Sequence, residues 1–84
     1  MIKPETIESL KRYAQDGVPT GDFLRAVLAN DLTTAALSAD EDNLAAMGEI
    51  AAYCYYSLPF SSMGSYKKVD AWTAEKRKDR AKEN

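Results

Sequence analysis

The longest regular pattern of apolar residues lies between Thr20 and Ser38 and has the period of an α-helix. Leu28 and Leu32 lie four residues apart in this pattern, so they fall on one face of the helix. The pattern crosses one polar pair, Asn30-Asp31, and either residue of this pair could cap a fresh helix. Because the leucine spacing is kept across the pair, we predict one continuous helix over this range.

Helical patterns also occur before and after this segment. The first runs from Pro4 to Asp16, since proline suits a first helical turn and Gly17 suits a left-handed cap. Another follows Asp40, whose carboxylate is a good N-cap, and it ends before Pro59. The last begins after Ser65, which is also a favourable N-cap.

These patterns predict an all-α fold, a small compact bundle of about four helices within residues 1–74. Phe60 and Met63, in the loop before the last helix, are expected to plug one end of the bundle. Residues 75–84 are charged except for one alanine and one asparagine, which favours a frayed helical extension or a disordered tail. A chain of 84 residues buries only a thin core, so we expect oligomerisation to complete the bundle.

The chain contains no histidine and one cysteine, Cys54, which limits the kinds of catalytic and metal-binding site that it can form. Histidine-assisted nucleophiles and zinc sites made of cysteine and histidine are excluded. The acidic run Asp40–Asp42 resembles the start of a calcium loop, but Leu44 and Ala45 replace the next ligand and the required glycine. Helix capping explains that run better, and Cys54 is expected to be inert core. We therefore expect a protein that is not an enzyme and that has no cofactor and no metal site.

Charge is distributed unevenly, although the formal net charge is only −2. Between Gly21 and Tyr56 there are six acidic residues and one base, whereas the last ten residues carry five bases and three acids. The body should repel nucleic acid, while the tail is a candidate for contact with it. The candidate nucleic-acid-binding residues are Lys76, Arg77, Lys78 and Arg80.

No apolar run is long enough for a membrane span, and no apolar segment of a signal peptide follows the N-terminus. A cytoplasmic location is therefore predicted, with no membrane partner.

Asn30 and Asp31 are the polar residues that helix packing explains least. They suit either a recognition pair or a set of caps and inter-helix hydrogen bonds, and we prefer the second interpretation. The tyrosines of the second half suit base stacking or, since little basic charge surrounds them, core and subunit contacts. The candidate ligand- or partner-binding residues are Arg25, Asn30, Asp31, Tyr53 and Tyr56.

The segment PTGDFLRAVLANDLTTAALSADEDN, with YCYYSLP and GSYKKVDAW after it, carries a recurrent signature. It resembles a family of short accessory proteins of tailed phages and prophages, with the pattern GxFLxAVLxNDL, ADxxN, YxYxxxP, GS and a late AW. The match covers most of residues 19–72. The resemblance implies a gene product made during infection that binds a host component, such as a defence protein or its nucleotide signal.

Two functions follow as hypotheses. The leading one is a stoichiometric, homo-oligomeric inhibitor in the host cytoplasm, which binds a host protein or sequesters a small nucleotide-like signal. The alternative is a small nucleic-acid-binding regulator, in which the second and third predicted helices form a helix-turn-helix and the basic tail contacts the backbone. The acidic residues after Asp40 disfavour this alternative, because that helix end would face phosphates.

Overall fold

The computed structural model describes the backbone of residues 1–83 and the side chains of residues 1–81. Within that range the chain forms six α-helices, one 3₁₀ turn and no β-strand, which confirms the all-α class. The helices are α1 (Pro4–Asp16), α2 (Asp22–Leu28), α3 (Leu32–Ser38), α4 (Glu41–Ala45), α5 (Met47–Ser57) and α6 (Tyr66–Glu83). The 3₁₀ turn spans Phe60–Ser62. None of the helices in the described range combines the length and the apolarity needed to cross a membrane.

α1 has the bounds that its sequence pattern predicts. Pro4 occupies the first turn, and Gly17 follows the helix with a left-handed φ of 68°. The Gly17 N–H donates to the Tyr13 carbonyl at 2.9 Å, which closes the last turn. Leu10 and Tyr13 are buried on the inner face of this helix. α1 therefore begins at a proline suited to the first turn and ends at a glycine cap.

The predicted continuous helix between Thr20 and Ser38 is wrong, because the chain breaks into α2 and α3. Asn30 adopts a positive φ of 63°, and its N–H donates to the Val27 carbonyl at 3.1 Å. The next N–H, that of Asp31, donates to the Ala26 carbonyl at 2.8 Å. This pair of bonds is a Schellman motif, which ends a helix wherever a residue tolerates left-handed backbone. Asparagine tolerates it better than most residues, so capping prevails over the leucine period.

The helix predicted between Asp40 and Pro59 is also divided. Asp40 is an N-cap as predicted, since its carboxylate accepts the Asn43 N–H at 2.7 Å. Ala46, however, has φ −97° and ψ 5°, outside helical geometry, and it separates α4 from α5. The division leaves Leu44 exposed, while Ile50 on α5 is fully buried. Because two predicted helices are each two helices, the predicted count of about four becomes six in the described range.

The core lies where α1, α2, α5 and α6 meet. Its largest fully buried apolar side chains are Leu10, Tyr13, Leu28 and Ile50, and Val69 of α6 is also buried. The Tyr13 hydroxyl donates to the Ser62 carbonyl at 2.6 Å in this core. Two residues later, the Gly64 N–H donates to the Leu28 carbonyl at 2.7 Å. The loop after α5 is therefore held to both α1 and α2.

α6 begins after Ser65, whose hydroxyl accepts the Lys68 N–H at 3.1 Å, as expected for its N-cap. The helix continues through the charged segment to Glu83, and Asn84, the last residue of the predicted tail, lies outside the described residues. The Trp72 indole N–H donates to the Tyr13 carbonyl at 3.1 Å. α6 is thus anchored on the C-terminal end of α1.

Replacing Gly17 by alanine is expected to lower the free energy of unfolding by about 1–3 kcal/mol, because alanine is strained at positive φ. The new Cβ would also lie 2.5 Å from the Lys76 Cβ and 3.2 Å from the Thr73 carbonyl oxygen. Urea unfolding measures the change. A matched control is Gly48→Ala within α5, where a Cβ meets nothing within 4 Å. That control should gain about 0.5–1 kcal/mol, and equal effects of the two substitutions would contradict this explanation.

Tyr13→Phe is expected to cost about 1–2 kcal/mol at neutral pH, because the Ser62 carbonyl loses a buried donor. Burial also raises the pKa of Tyr13 to about 12, whereas an unfolded tyrosine ionises near pH 10. The folded state keeps this proton longer, so the contribution of Tyr13 is complete below pH about 10 and is lost as the pH rises to about 12.

Urea unfolding across that alkaline window should therefore show a shallower decline for Tyr13→Phe than for the parent chain. Tyr56→Phe, at a side chain that is 83% exposed, is the matched control and should follow the parent. Parallel curves for the parent and Tyr13→Phe would show that the buried hydroxyl does not cause the alkaline loss.

Candidate functional site

An open groove lies between α5 and the turn that joins α2 to α3. Its volume is about 480 Å³, and its lining is mainly apolar. Among its lining residues are Val27, Asn30, Ala51, Tyr55, Tyr56 and Met63. A recess of about 90 Å³ continues it towards Leu32 and shares Val27, Asn30 and Ala51 with it. The two form one continuous surface, named here the α5 groove.

Three aromatic side chains are exposed beside this groove. Tyr55, Tyr56 and Phe60 are 58%, 83% and 65% exposed. The rings of Tyr55 and Tyr56 meet edge to face with centroids 5.0 Å apart, and Phe60 lies 5.5 Å from Tyr55. The expectation that Phe60 plugs the bundle is therefore wrong, whereas Met63 is half-buried against the core. Clustered exposed aromatic rings are typical of binding surfaces.

Two of the predicted site residues, Asn30 and Tyr56, are brought together in the α5 groove. Asn30 reaches it because the left-handed turn after α2 leaves its side chain exposed beside the groove. Tyr56 is near the end of α5, on its outward face. Asp31 lines the adjoining recess. Tyr53 is half-buried against the core and is not among the lining residues of the groove.

Arg25 belongs to a polar network behind the turn. Its guanidinium nitrogens lie 2.6 and 3.3 Å from the two carboxylate oxygens of Asp70 on α6. The same guanidinium lies over the Tyr66 ring, 5.0 Å from its centroid. Hydrogen bonding from Arg25 lowers the pKa of Asp70 below its ordinary value. Arg25 therefore already has two partners within the chain.

The Tyr66 hydroxyl extends this network to α3, because it donates to Asp31 at 2.7 Å. Asp31 also accepts the Thr34 N–H at 3.2 Å as the N-cap of α3. These hydrogen bonds, from Tyr66 first and Thr34 second, lower the pKa of Asp31. Capping and inter-helix bonding thus account for Asp31, and its exposed carboxylate also edges the recess.

The sequence-based prediction missed Val27, Ala51, Tyr55 and Met63 as groove residues. One signal was present in the sequence, since Gly48, Ala51, Ala52, Tyr55 and Tyr56 form a second stripe at helical spacing. That stripe is exposed along its whole length, opposite the buried face of α5. Met63 reaches the groove through the long-range bond between Gly64 and Leu28, which no local pattern reveals.

The cysteine beside the groove is not an activated nucleophile. Cys54 borders the groove, but the residue is only 3% exposed, and burial raises the pKa of its thiol to about 11. A thiol with that pKa stays protonated at neutral pH and is a weak nucleophile. Among the described residues, no group of three or more side chains of the metal-binding types is placed to hold an ion.

The basic candidates lie on the last turns of α6. Lys76 is half-buried, with its amine 4.7 Å from the centre of the Trp72 ring. Arg77, Lys78 and Arg80 are exposed.

At the start of α4, the Lys3 amine lies 3.3 and 3.5 Å from Asp40 and Asp42. That helix end therefore remains acidic, with Glu41 also in its first turn. A helix with this end would meet phosphates unfavourably in a helix-turn-helix.

Comparisons of the chain with family models, with curated proteins and with solved structures found no match. The groove, the charge distribution and the sequence signature are therefore the features that bear on function.

Asp31→Ala is expected to lower the free energy of unfolding by about 1–2 kcal/mol, because α3 loses its N-cap and Tyr66 loses its acceptor. Asp31→Asn keeps one oxygen for the Thr34 N–H but replaces the other, which accepts the Tyr66 hydroxyl, with an amide nitrogen. It should therefore cost less than Asp31→Ala, about 0.5–1 kcal/mol. Thermal or urea unfolding of the two variants separates them. Equal stability of the two variants would contradict the capping role.

Proposed function

We propose that the chain is a phage-type accessory protein that binds a host component stoichiometrically and has no catalytic activity. The observation that carries the proposal is the α5 groove, an open apolar surface edged by Tyr55, Tyr56 and Phe60. Surfaces of this composition resemble the centres of protein interfaces, which are rich in aromatic and poor in charged side chains. The sequence signature resembles that of phage accessory proteins, so the proposed host component is a defence protein or another host protein that a phage inhibits.

The charge distribution supports a protein partner. The segment Ala26–Tyr66 supplies every lining residue of the groove and contains five acidic residues but no lysine or arginine. Such a segment repels phosphate backbones and attracts a basic protein surface, which also accelerates encounter. An inhibitor that covers a basic functional surface of a host protein fits this arrangement.

Sequestration of a small nucleotide-like signal is the second form of the same proposal. A volume of about 480 Å³ lies within the usual range of small-molecule sites, and the Asn30 amide and tyrosine rings suit a nucleobase. Phosphates fit less well, because the lining contains no cation. The Lys68 amine lies near one end, about 3.6 Å from where a Cβ on Gly64 would be.

In the host cytoplasm the free protein is a homo-oligomer. Its exposed apolar side chains support association, since Leu32, Leu37 and Leu44 are more than half exposed in addition to the aromatic cluster.

Leu32→Gln is expected to reduce capture of the host component by about tenfold, because a leucine at the groove recess leaves the interface. Leu32 is 72% exposed, so the fold should be unaffected. The matched control is Leu37→Gln on the same helix, 83% exposed and outside the groove lining. The measurement is quantitative co-purification from phage-infected cells, with native mass spectrometry for any retained small molecule.

We expect the parent and Leu37→Gln to retain a protein or a nucleotide-sized mass. Leu32→Gln should not retain it. Equal retention by all three chains, or retention of nothing, would overturn the proposal.

The exposed cations Arg77, Lys78 and Arg80 on α6 keep the nucleic-acid-binding regulator as the alternative. A mobility-shift assay at low salt tests it, because phosphate contacts are strongest there. Absence of binding under that condition removes the alternative.

A further inference from the structure

The outward face of α5 is uncovered, and its one charged side chain, Glu49, lies at its border. Gly48, Ala51, Ala52, Tyr55 and Tyr56 are all exposed along it. A Cβ added at Gly48 would meet nothing within 4 Å, so no contact inside the chain requires glycine there. Glycine weakens a helix relative to alanine, and its presence in α5 therefore calls for another explanation.

The spacing on this face is self-complementary. Gly48 lies four residues before Ala52, and Tyr56 lies four residues after it. When two such helices cross antiparallel at Ala52, each Tyr56 lies over the gap at Gly48 of the partner subunit. A two-fold interface requires this kind of surface, in which a projection and a gap on one copy match those on the other.

We propose that a second copy of this chain packs on the outward face of α5. The two α5 helices cross antiparallel at Ala52, and each Tyr56 ring fills the space above the partner's Gly48. This inference rests on the proposed function and refines it: the second copy covers Ala52, Tyr55 and Tyr56 of the α5 groove, so a host component binds there by replacing the second copy. The small side chains at Ala51 and Ala52 let the two helices approach closely at the crossing.

The exposed aromatic side chains supply a large part of the area that a dimer needs. A buried aromatic side chain covers about 150–250 Å², so Tyr55, Tyr56 and Phe60 together offer roughly 300–500 Å² at their exposures of 58%, 83% and 65%. A standard interface takes about 800 Å² per partner. The three rings therefore supply around half of such an interface, and the small side chains between them add to it.

The charges near this face favour the antiparallel arrangement. Glu49 is the one charged residue in α5, and it borders the exposed stripe. With the crossing at Ala52, Glu49 lies opposite the partner's Tyr55 rather than opposite a second carboxylate. No like charges are therefore brought together along the two helices.

Gly48→Gln is the decisive substitution. Glutamine has a higher helix propensity than glycine, and the space around Gly48 is open, so the single chain stays folded. The longer side chain occupies the space that the partner's Tyr56 needs. We expect the dimer dissociation constant to rise about 30-fold or more, as on loss of an interface hot spot. Ser57→Gln, exposed on another side of α5, is the matched control and should leave it unchanged.

Sedimentation equilibrium on the purified chain alone, from micromolar to millimolar concentration, distinguishes the 9.3 kDa chain from its dimer. A second measurement fixes the crossing point. Ala52→Cys should form an intermolecular disulfide under mild oxidation, because two-fold symmetry brings the two copies of residue 52 together. Ser57→Cys should not, and the native Cys54 is buried.

A parent chain that remains monomeric overturns the inference. A dimer that persists in Gly48→Gln, or that Ala52→Cys does not crosslink, also overturns it. A monomer would mean that a different protein, and not a second copy, covers the apolar face. Since no host material is present, failure here is distinct from failure of the proposed function. A monomeric chain that still captures a host component loses only the interface.

Discussion

The left-handed backbone at Asn30 is the constraint on which the rest of the structure depends. A continuous helix would direct the Leu28 carbonyl to the N–H of Leu32, four residues later. The Schellman turn ends α2 first, and the freed carbonyl accepts the Gly64 N–H instead. That bond places the loop after α5 against α2, while the Ser62 carbonyl meets Tyr13 of α1. One local backbone conformation therefore sets the position of the loop that closes the groove.

The same turn links the groove to the far side of the molecule. Asp31 caps α3 and accepts the Tyr66 hydroxyl, and Tyr66 lies under the guanidinium of Arg25. Arg25 in turn holds Asp70 of α6. The groups are exposed or half-buried, so each bond contributes modestly, but together they orient three helices. Asn30 and Asp31, which shape this turn, therefore also line the surface proposed for binding.

The sequence predicts the parts of the fold that depend on local chemistry. Gly17, Asp40 and Ser65 are caps where their residue types indicate, and α1 has its predicted bounds. The prediction failed where two local signals competed. Leu32 continued the apolar period, yet it is 72% exposed, since the turn at Asn30 rotates α3 away from that face.

The groove was predictable only in part, through Asn30 and Tyr56, because its other wall depends on pairing between distant segments.

The absence of lysine and arginine from Ala26 to Tyr66 has a practical consequence. Trypsin cleaves only after those two residue types, so digestion releases the whole lining of the groove within a single peptide. Reagents that attach to amines react elsewhere, at lysines outside this segment. A chain immobilised through its lysines keeps the lining chemically unmodified, and an attachment at Lys68 would lie at one end of the groove.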